Sequence, residues 1–202
     1  MKHLTVNFKN WGDEAVLEAV KVLEQGGIVI YPTETCYGIG VDIFNQEALQ
    51  KLHTLKRMPL FKPISVIVSS LDDAKRWGVV DKKAEDLMNA YWPGPYTFLV
   101  NRADTLPRFF NQGIQKVGFR NPSVKDLLDI VDKTGRPITT TSANISGKPE
   151  CYKIRDFLSQ LKAEHIPVDI DLIIDTGEIG ENPPSTIYDC VDDVVIRGEI
   201  KI

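Results

Sequence analysis

Short apolar runs recur along the chain, and glycine or proline separates each of them from a stretch with helical periodicity. IVIY (28–31) and ISVIV (64–68) carry no polar alternation, as expected of strands buried on both faces. YTFLV (96–100), KVGFR (116–120), PITTT (137–141), STIYD (185–189) and DVVIR (193–197) read as further strands, and VDIDLIID (168–175) is another apolar run. Between them, Val16, Ala19, Val20 and Leu23 follow Asp13, a cap candidate, at helical spacing up to the stop at Gly26-Gly27. Helical stripes also mark 46–55, 82–91 and 153–162, and one with Val124, Leu127, Leu128 and Val131 starts from Ser123 as N-cap and stops at Gly135-Arg136-Pro137. Pro93 and Pro95 exclude a helix through the WPGP turn. This alternation predicts an α/β fold, a single domain over 1–202 built on a large, twisted, open mixed sheet flanked by helices.

With 202 residues, 43% of them hydrophobic, the chain can bury a sizeable core without metals or disulfides. A net charge of −4 excludes a surface that tracks nucleic-acid phosphates throughout, while leaving room for a local basic patch. Cys36, Cys151 and Cys190 lie far apart, which suits a reducing compartment, and with His3, His53 and His165 scattered no structural zinc site is expected. The N-terminus lacks a signal-peptide pattern and no apolar run is long enough to span a bilayer, so the expected location is the cytoplasm, away from membranes.

Three polar clusters follow strand signals: Thr33-Glu34-Thr35, Thr139 to Thr141 with Ser142-Ala143-Asn144, and Ser185-Thr186. Ligands in open α/β sheets gather outside strand ends, so these clusters are candidates for one pocket, although threonine in strands and serine in turns are also ordinary. Lys51, Lys56, Arg57 and Lys62 crowd the end of one helix, where the dipole already favours cations. Arg120 and Arg197, each ending an apolar strand, have no such explanation and suit an anionic ligand. There is no P-loop, GIG (38–40) lacks the remaining glycine of a dinucleotide fingerprint, and no G-x-S-x-G occurs. Cys36 reads as a small buried cysteine.

Taken in order, YPTETCYGIG (31–40), LKRMPLFKP (55–63), WPGPYTF (92–98), VGFRNP (117–122), TTSANISGKP (140–149) and PSTIYD (184–189), followed by Arg197, resemble the YrdC/YciO superfamily over roughly residues 17–197. The resemblance implies a twisted mixed sheet with a concave basic site. It also implies the activity of an L-threonylcarbamoyladenylate synthase, which makes threonylcarbamoyl-AMP and pyrophosphate from L-threonine, bicarbonate and ATP for t6A37 modification of tRNA. ATP would bring Mg2+, and the product would pass to the tRNA threonylcarbamoyl transferase machinery.

Residue by residue, the resemblance places Thr35 against threonine and Arg120 on its carboxylate, with Thr141, Ser142 and Ser185 on the same substrate. Lys56, Lys62, Ser142, Asn144 and Arg197 fall on the nucleotide side, and Lys56, Arg57 and Arg120 are the catalytic candidates. No metal ligand is assigned; Glu34 is either a magnesium ligand or a carboxylate capping a helix.

The chain departs from the family pattern in four places. The K-x-R signature reads Lys56-Arg57-Met58, so the arginine sits one residue early, turned by about 100° if the helix persists. Ile67 stands where some synthases have histidine, Asn121 follows the strand arginine, and the end at Ile202 leaves no room for the additional C-terminal domain of longer synthases. The KRMP variant is similar to the YciO branch, which makes the alternative a homologue that binds a nucleotide, or double-stranded RNA or tRNA, without synthase activity.

Overall fold

The apolar runs become the strands of one mixed sheet in a computed structural model that describes residues 1–200. In chain order the elements are β1 (Lys2–Thr5), α1 (Asp13–Glu24), β2 (Val29–Pro32), β3 (Tyr37–Gly40), α2 (Gln46–Leu55), β4 (Ser65–Ile67), α3 (Leu71–Trp77), β5 (Gly78–Val79), α4 (Lys82–Tyr91), β6 (Tyr96–Arg102), β7 (Lys116–Arg120), α5 (Lys125–Thr134), β8 (Ile138–Ser142), α6 (Ile154–Ala163), β9 (Leu172–Asp175), β10 (Thr186–Asp189) and β11 (Val194–Arg197). The sheet order is β1-β9-β2-β3-β8-β4-β7-β6-β10-β11, with β5 paired to β6. Among the described residues no helix is long and apolar enough to cross a membrane.

Both faces of the sheet are packed, which is why its central strands lack polar alternation. Ile28, Ile30 and Ile173 point into a core shared with α2, α3, α4 and α6, while Val29, Tyr31, Leu172 and Ile174 point the other way, against α1 and α5. The second face is covered over only half its width. Along the register-paired row Ile138, Ile67, Arg120, Thr97 and Ile187, the first two lie under α1 and α5 and the last three line an open cavity. The adjacent row, Thr139, Val66, Phe119, Phe98 and Tyr188, faces the opposite side and is fully buried.

Several local expectations are corrected. Gly12, at φ 81°, is the N-cap of α1, and Asp13 lies inside the first turn, where its charge still suits the helix dipole. α5 starts from Val124 rather than Ser123 and has no side-chain cap. The run at 168–175 is strand only over Leu172–Asp175; ahead of it the Asp169 amide closes a turn on the Pro167 carbonyl at 3.0 Å, and the Asp171 carboxylate accepts the Ile28 amide at 2.7 Å. YGIG proves to be β3, an antiparallel partner of β2 on one side and of β8 on the other. Its glycines make room for the buried Tyr31 ring: a Cβ on Gly38 or Gly40 would stand 2.6 or 2.7 Å from ring carbons. The Tyr31 hydroxyl donates to the Thr139 carbonyl at 2.9 Å, which fixes the ring in that place.

Gly40→Ala should therefore cost about 2 kcal/mol through overpacking, read as a lower urea midpoint with an unchanged slope. A loss within about 0.5 kcal/mol, the range of an inconsequential substitution, would show that the Tyr31 ring does not occupy this space.

Candidate active site

The half of the sheet face left bare by α1 and α5 is closed into a cavity of about 460 Å³ by the β2–β3 turn and the loop after β8. Five cations line it, Lys56, Lys62, Arg120, Lys148 and Arg197, against one carboxylate, Glu150, so the basic charge is local to this face of a chain with net charge −4. Of the nominated residues, Thr35, Lys56, Lys62, Arg120, Thr141, Ser142, Asn144, Ser185 and Arg197 all line this cavity. Arg57 and Lys51 do not.

The β2–β3 turn is shaped by Thr33, whose hydroxyl donates to the Cys36 carbonyl at 2.7 Å and accepts the amides of Thr35 and Cys36, each at 3.2 Å. That arrangement delivers Thr35 to the end of β7. There Nη2 of Arg120 donates to Thr35 Oγ1 at 3.0 Å and to Glu34 Oε1 at 2.8 Å. Glu34 is thus engaged by Arg120 through Oε1 and does not cap a helix. Arg120 Nε and Glu34 Oε2 are buried and have no hydrogen-bond partner among the described residues. Across the floor, Arg197 donates from Nε to the Ser185 carbonyl at 2.8 Å and from Nη2 to Ser185 Oγ at 2.9 Å, and Ser185 Oγ lies 3.3 Å from Thr97 Oγ1.

Lys56, 3% exposed, caps α2 and sends its ammonium to the Ser142 carbonyl, the Asn144 carbonyl at 2.7 Å and Asn144 Oδ1 at 3.1 Å. An ammonium has three protons, and all three are engaged by the loop. Its own carbonyl accepts the Ser146 amide at 2.8 Å. Asn144 is equally committed, for Oδ1 also accepts from Ser142 Oγ at 2.7 Å and Nδ2 donates to the Lys148 carbonyl at 2.6 Å. Lys56 and Asn144 therefore organise the 142–148 loop, and the cavity meets Thr140, Thr141 and the mouth lysines more directly. Thr139 is turned the other way, its hydroxyl accepting the Val41 amide at 3.1 Å. Burial, then the neighbouring Lys62 charge, lowers the Lys56 pKa to about 7.

Arg57 corrects a sequence expectation. It leaves the helix at φ 48°, and its guanidinium reaches Glu164 at the end of α6, with Nη1 on Oε2 and Nη2 on the main-chain oxygen, both at 2.7 Å. Met58, buried, is the residue that faces the cavity. Asn121 is also structural, donating to the Val68 carbonyl at 2.8 Å, and Ile67 is core. Cys36 lines the cavity, but burial raises its pKa and keeps the thiol protonated. Sequence reasoning missed Lys148 and Glu150, whose only signal was their place in the SGKPE loop, and Thr97, which an even pattern of alternation along β6 would have placed opposite Phe98.

The family model Sua5_yciO_yrdC, described as telomere recombination, matches residues 21–198. A Bacillus subtilis protein named threonylcarbamoyl-AMP synthase is 33% identical over 192 residues, covering 91% of this chain and 52% of that protein. A Vibrio vulnificus protein of the same name is 33% identical over 187 residues, covering 89% of this chain and 96% of the relative. Among solved structures, P. abyssi Sua5 complexed with L-threonine superposes with a TM-score of 0.87 at 26% identity, covering 98% of this chain and 57% of that one. The chain thus spans about half the length of the Bacillus and P. abyssi proteins and nearly all of the Vibrio one.

The depressed Lys56 pKa has a measurable consequence. Unfolded, this lysine keeps its proton well above pH 7; folded, it releases the proton near pH 7, so deprotonation favours the folded state and stability rises with pH above 7. The difference in unfolding free energy between the native chain and Lys56→Met should therefore grow in the native chain's favour from pH 7 to pH 9. A flat difference would mean that Lys56 titrates as a normal lysine.

Proposed function

Because the chain belongs to the Sua5_yciO_yrdC family, we propose that it condenses L-threonine, bicarbonate and ATP to threonylcarbamoyl-AMP, releasing pyrophosphate and water, in the pathway to t6A37 in tRNA. The observation that carries this reading is Arg120: a buried guanidinium that donates to the Thr35 hydroxyl and to Glu34, with an unpartnered Nε, on the floor of a cavity lined by four further cations. A planar fork of this kind suits a carboxylate, and the threonine carboxylate would sit there with Thr141 and Ser185 near its other groups.

With the amino acid so held, its amine takes up carbon from bicarbonate with loss of water, and the resulting carbamate oxygen attacks the α-phosphorus of ATP as pyrophosphate leaves. The carbamate is a weak nucleophile, and charge builds on the phosphoryl oxygens, so fixed cations and prepaid positioning are what the protein must supply. Arg197 and Lys62 supply charge, the 142–148 loop supplies a fixed wall, and no residue has to form a covalent intermediate. Protonated Cys36 is in keeping with that.

Mg2+ would enter on the phosphates of ATP. Among the described residues no group of three or more histidine, cysteine or acidic side chains could hold a metal by itself, but an ion carried by triphosphate needs only one or two protein oxygens, and Glu150 at the cavity is such a donor. Bound there, it would neutralise charge on the phosphate oxygens. The adenylate is a reactive mixed anhydride, so a transferase acting on tRNA has to consume it.

Purified protein given ATP, Mg2+, bicarbonate and L-threonine should release pyrophosphate, and omission of bicarbonate or replacement of threonine by serine should suppress the release. Arg120→Ala should lower turnover at least tenfold, about 1.4 kcal/mol of transition-state stabilisation. Binding of ATP without pyrophosphate release would contradict the synthase reading and leave a nucleotide-binding homologue. Binding of double-stranded RNA that falls steeply with salt would instead point to an RNA-binding module.

A further inference from the structure

The five cations at the cavity differ in what they have left to offer a ligand. All three protons of Lys56 are spent on Ser142 and Asn144, Arg120 is held by Glu34 and Thr35, and Arg197 is held by Ser185. Lys62, exposed, has no such commitment among the described residues. Lys148 has one, an ion pair to Glu164 Oε1 at 3.0 Å across the cavity rim. Glu164 is also the anchor of Arg57, which takes the other carboxylate oxygen and the main-chain oxygen. One carboxylate is therefore divided between a cation that lines the cavity and a cation that does not.

On the reading that ATP binds here, we propose that Lys148 is a phosphate-binding residue that passes from Glu164 to the nucleotide, while Arg57 stays behind to neutralise Glu164. The pairing it gives up is partly exposed and so worth little in water, whereas a triphosphate offers several strong acceptors. The hand-over leaves no carboxylate uncompensated, because Arg57 holds Glu164 through two separate oxygens. Arg57, one residue away from the signature position, then acts on the reaction only through Glu164. The charge absent at Met58 is supplied from the opposite wall by Lys148, together with Lys62.

The sign of two substitutions separates this from a merely structural ion pair. Affinity for Mg2+-ATP in the absence of threonine, measured by calorimetry, should fall at least fivefold in Lys148→Ala and should rise about two- to threefold in Glu164→Gln, which releases Lys148. The gain should vanish when Glu164→Gln is made in the Lys148→Ala background, and KM for threonine should stay unchanged in Lys148→Ala. Losses of similar size in both single variants, or no change in Lys148→Ala, would overturn the hand-over while leaving the synthase reading intact. Failure of the native chain to bind Mg2+-ATP at all would overturn both.

Discussion

A buried ammonium with every proton engaged is the interaction on which the cavity depends. Moving a charge out of water is expensive unless its hydrogen bonds are replaced, and the three oxygens of the loop replace all of them for Lys56. Two of those acceptors are main-chain carbonyls, so the loop cannot drift without stranding the charge. Asn144 multiplies the effect, since the same Oδ1 that accepts from Lys56 accepts from Ser142, and its Nδ2 reaches the Lys148 carbonyl. The end of α2 thereby sets the position of a wall contributed from beyond residue 140. Burial, and then the charge of Lys62, nonetheless lowers the Lys56 pKa to about 7.

The cavity exists because one face of a wide sheet is only half covered. α1 and α5 seal the part built by β9, β2 and their neighbours, and the same row of side chains that begins as isoleucine under those helices continues as Arg120 and Thr97 beyond them. The opposite face is mostly apolar, with Val66, Phe119, Phe98 and Tyr188 in one buried row beside Thr139. Polar side chains are thus presented from strand residues, Arg120 at the end of β7 and Thr97 near the start of β6, and strands are stiffer mounts than loops.

How much of this was legible in the sequence follows from which forces are local. Helices 46–55 and 82–91 match α2 and α4 to the residue, because periodicity and clear stops act within a few positions. The strands buried on both faces announced themselves by composition. The cap residues 13 and 123 did not, since Gly12 and Val124 start their helices without the side-chain hydrogen bond on which cap propensity rests. β3 was concealed by its glycines, which are needed only because Tyr31 lies across them. β1 and α3 were likewise overlooked: β1 is a mostly exposed edge strand, and α3 a single short helix capped by Ser70. At the cavity, the family pattern located nine of the side chains named for it, yet it could not show that Lys56 and Asn144 face the loop, nor that a left-handed residue would swing Arg57 onto α6. Those are long-range facts, set by where residue 164 arrives.

The most direct test of the account is amide hydrogen exchange across residues 142–148 in the native chain and in Lys56→Met, compared at one pH below 7. The account predicts that the variant loses protection through this loop, the Ser146 amide included, while β7 and β8 keep theirs. Equal protection in the two proteins would contradict it, because the loop would then hold its shape without the ammonium.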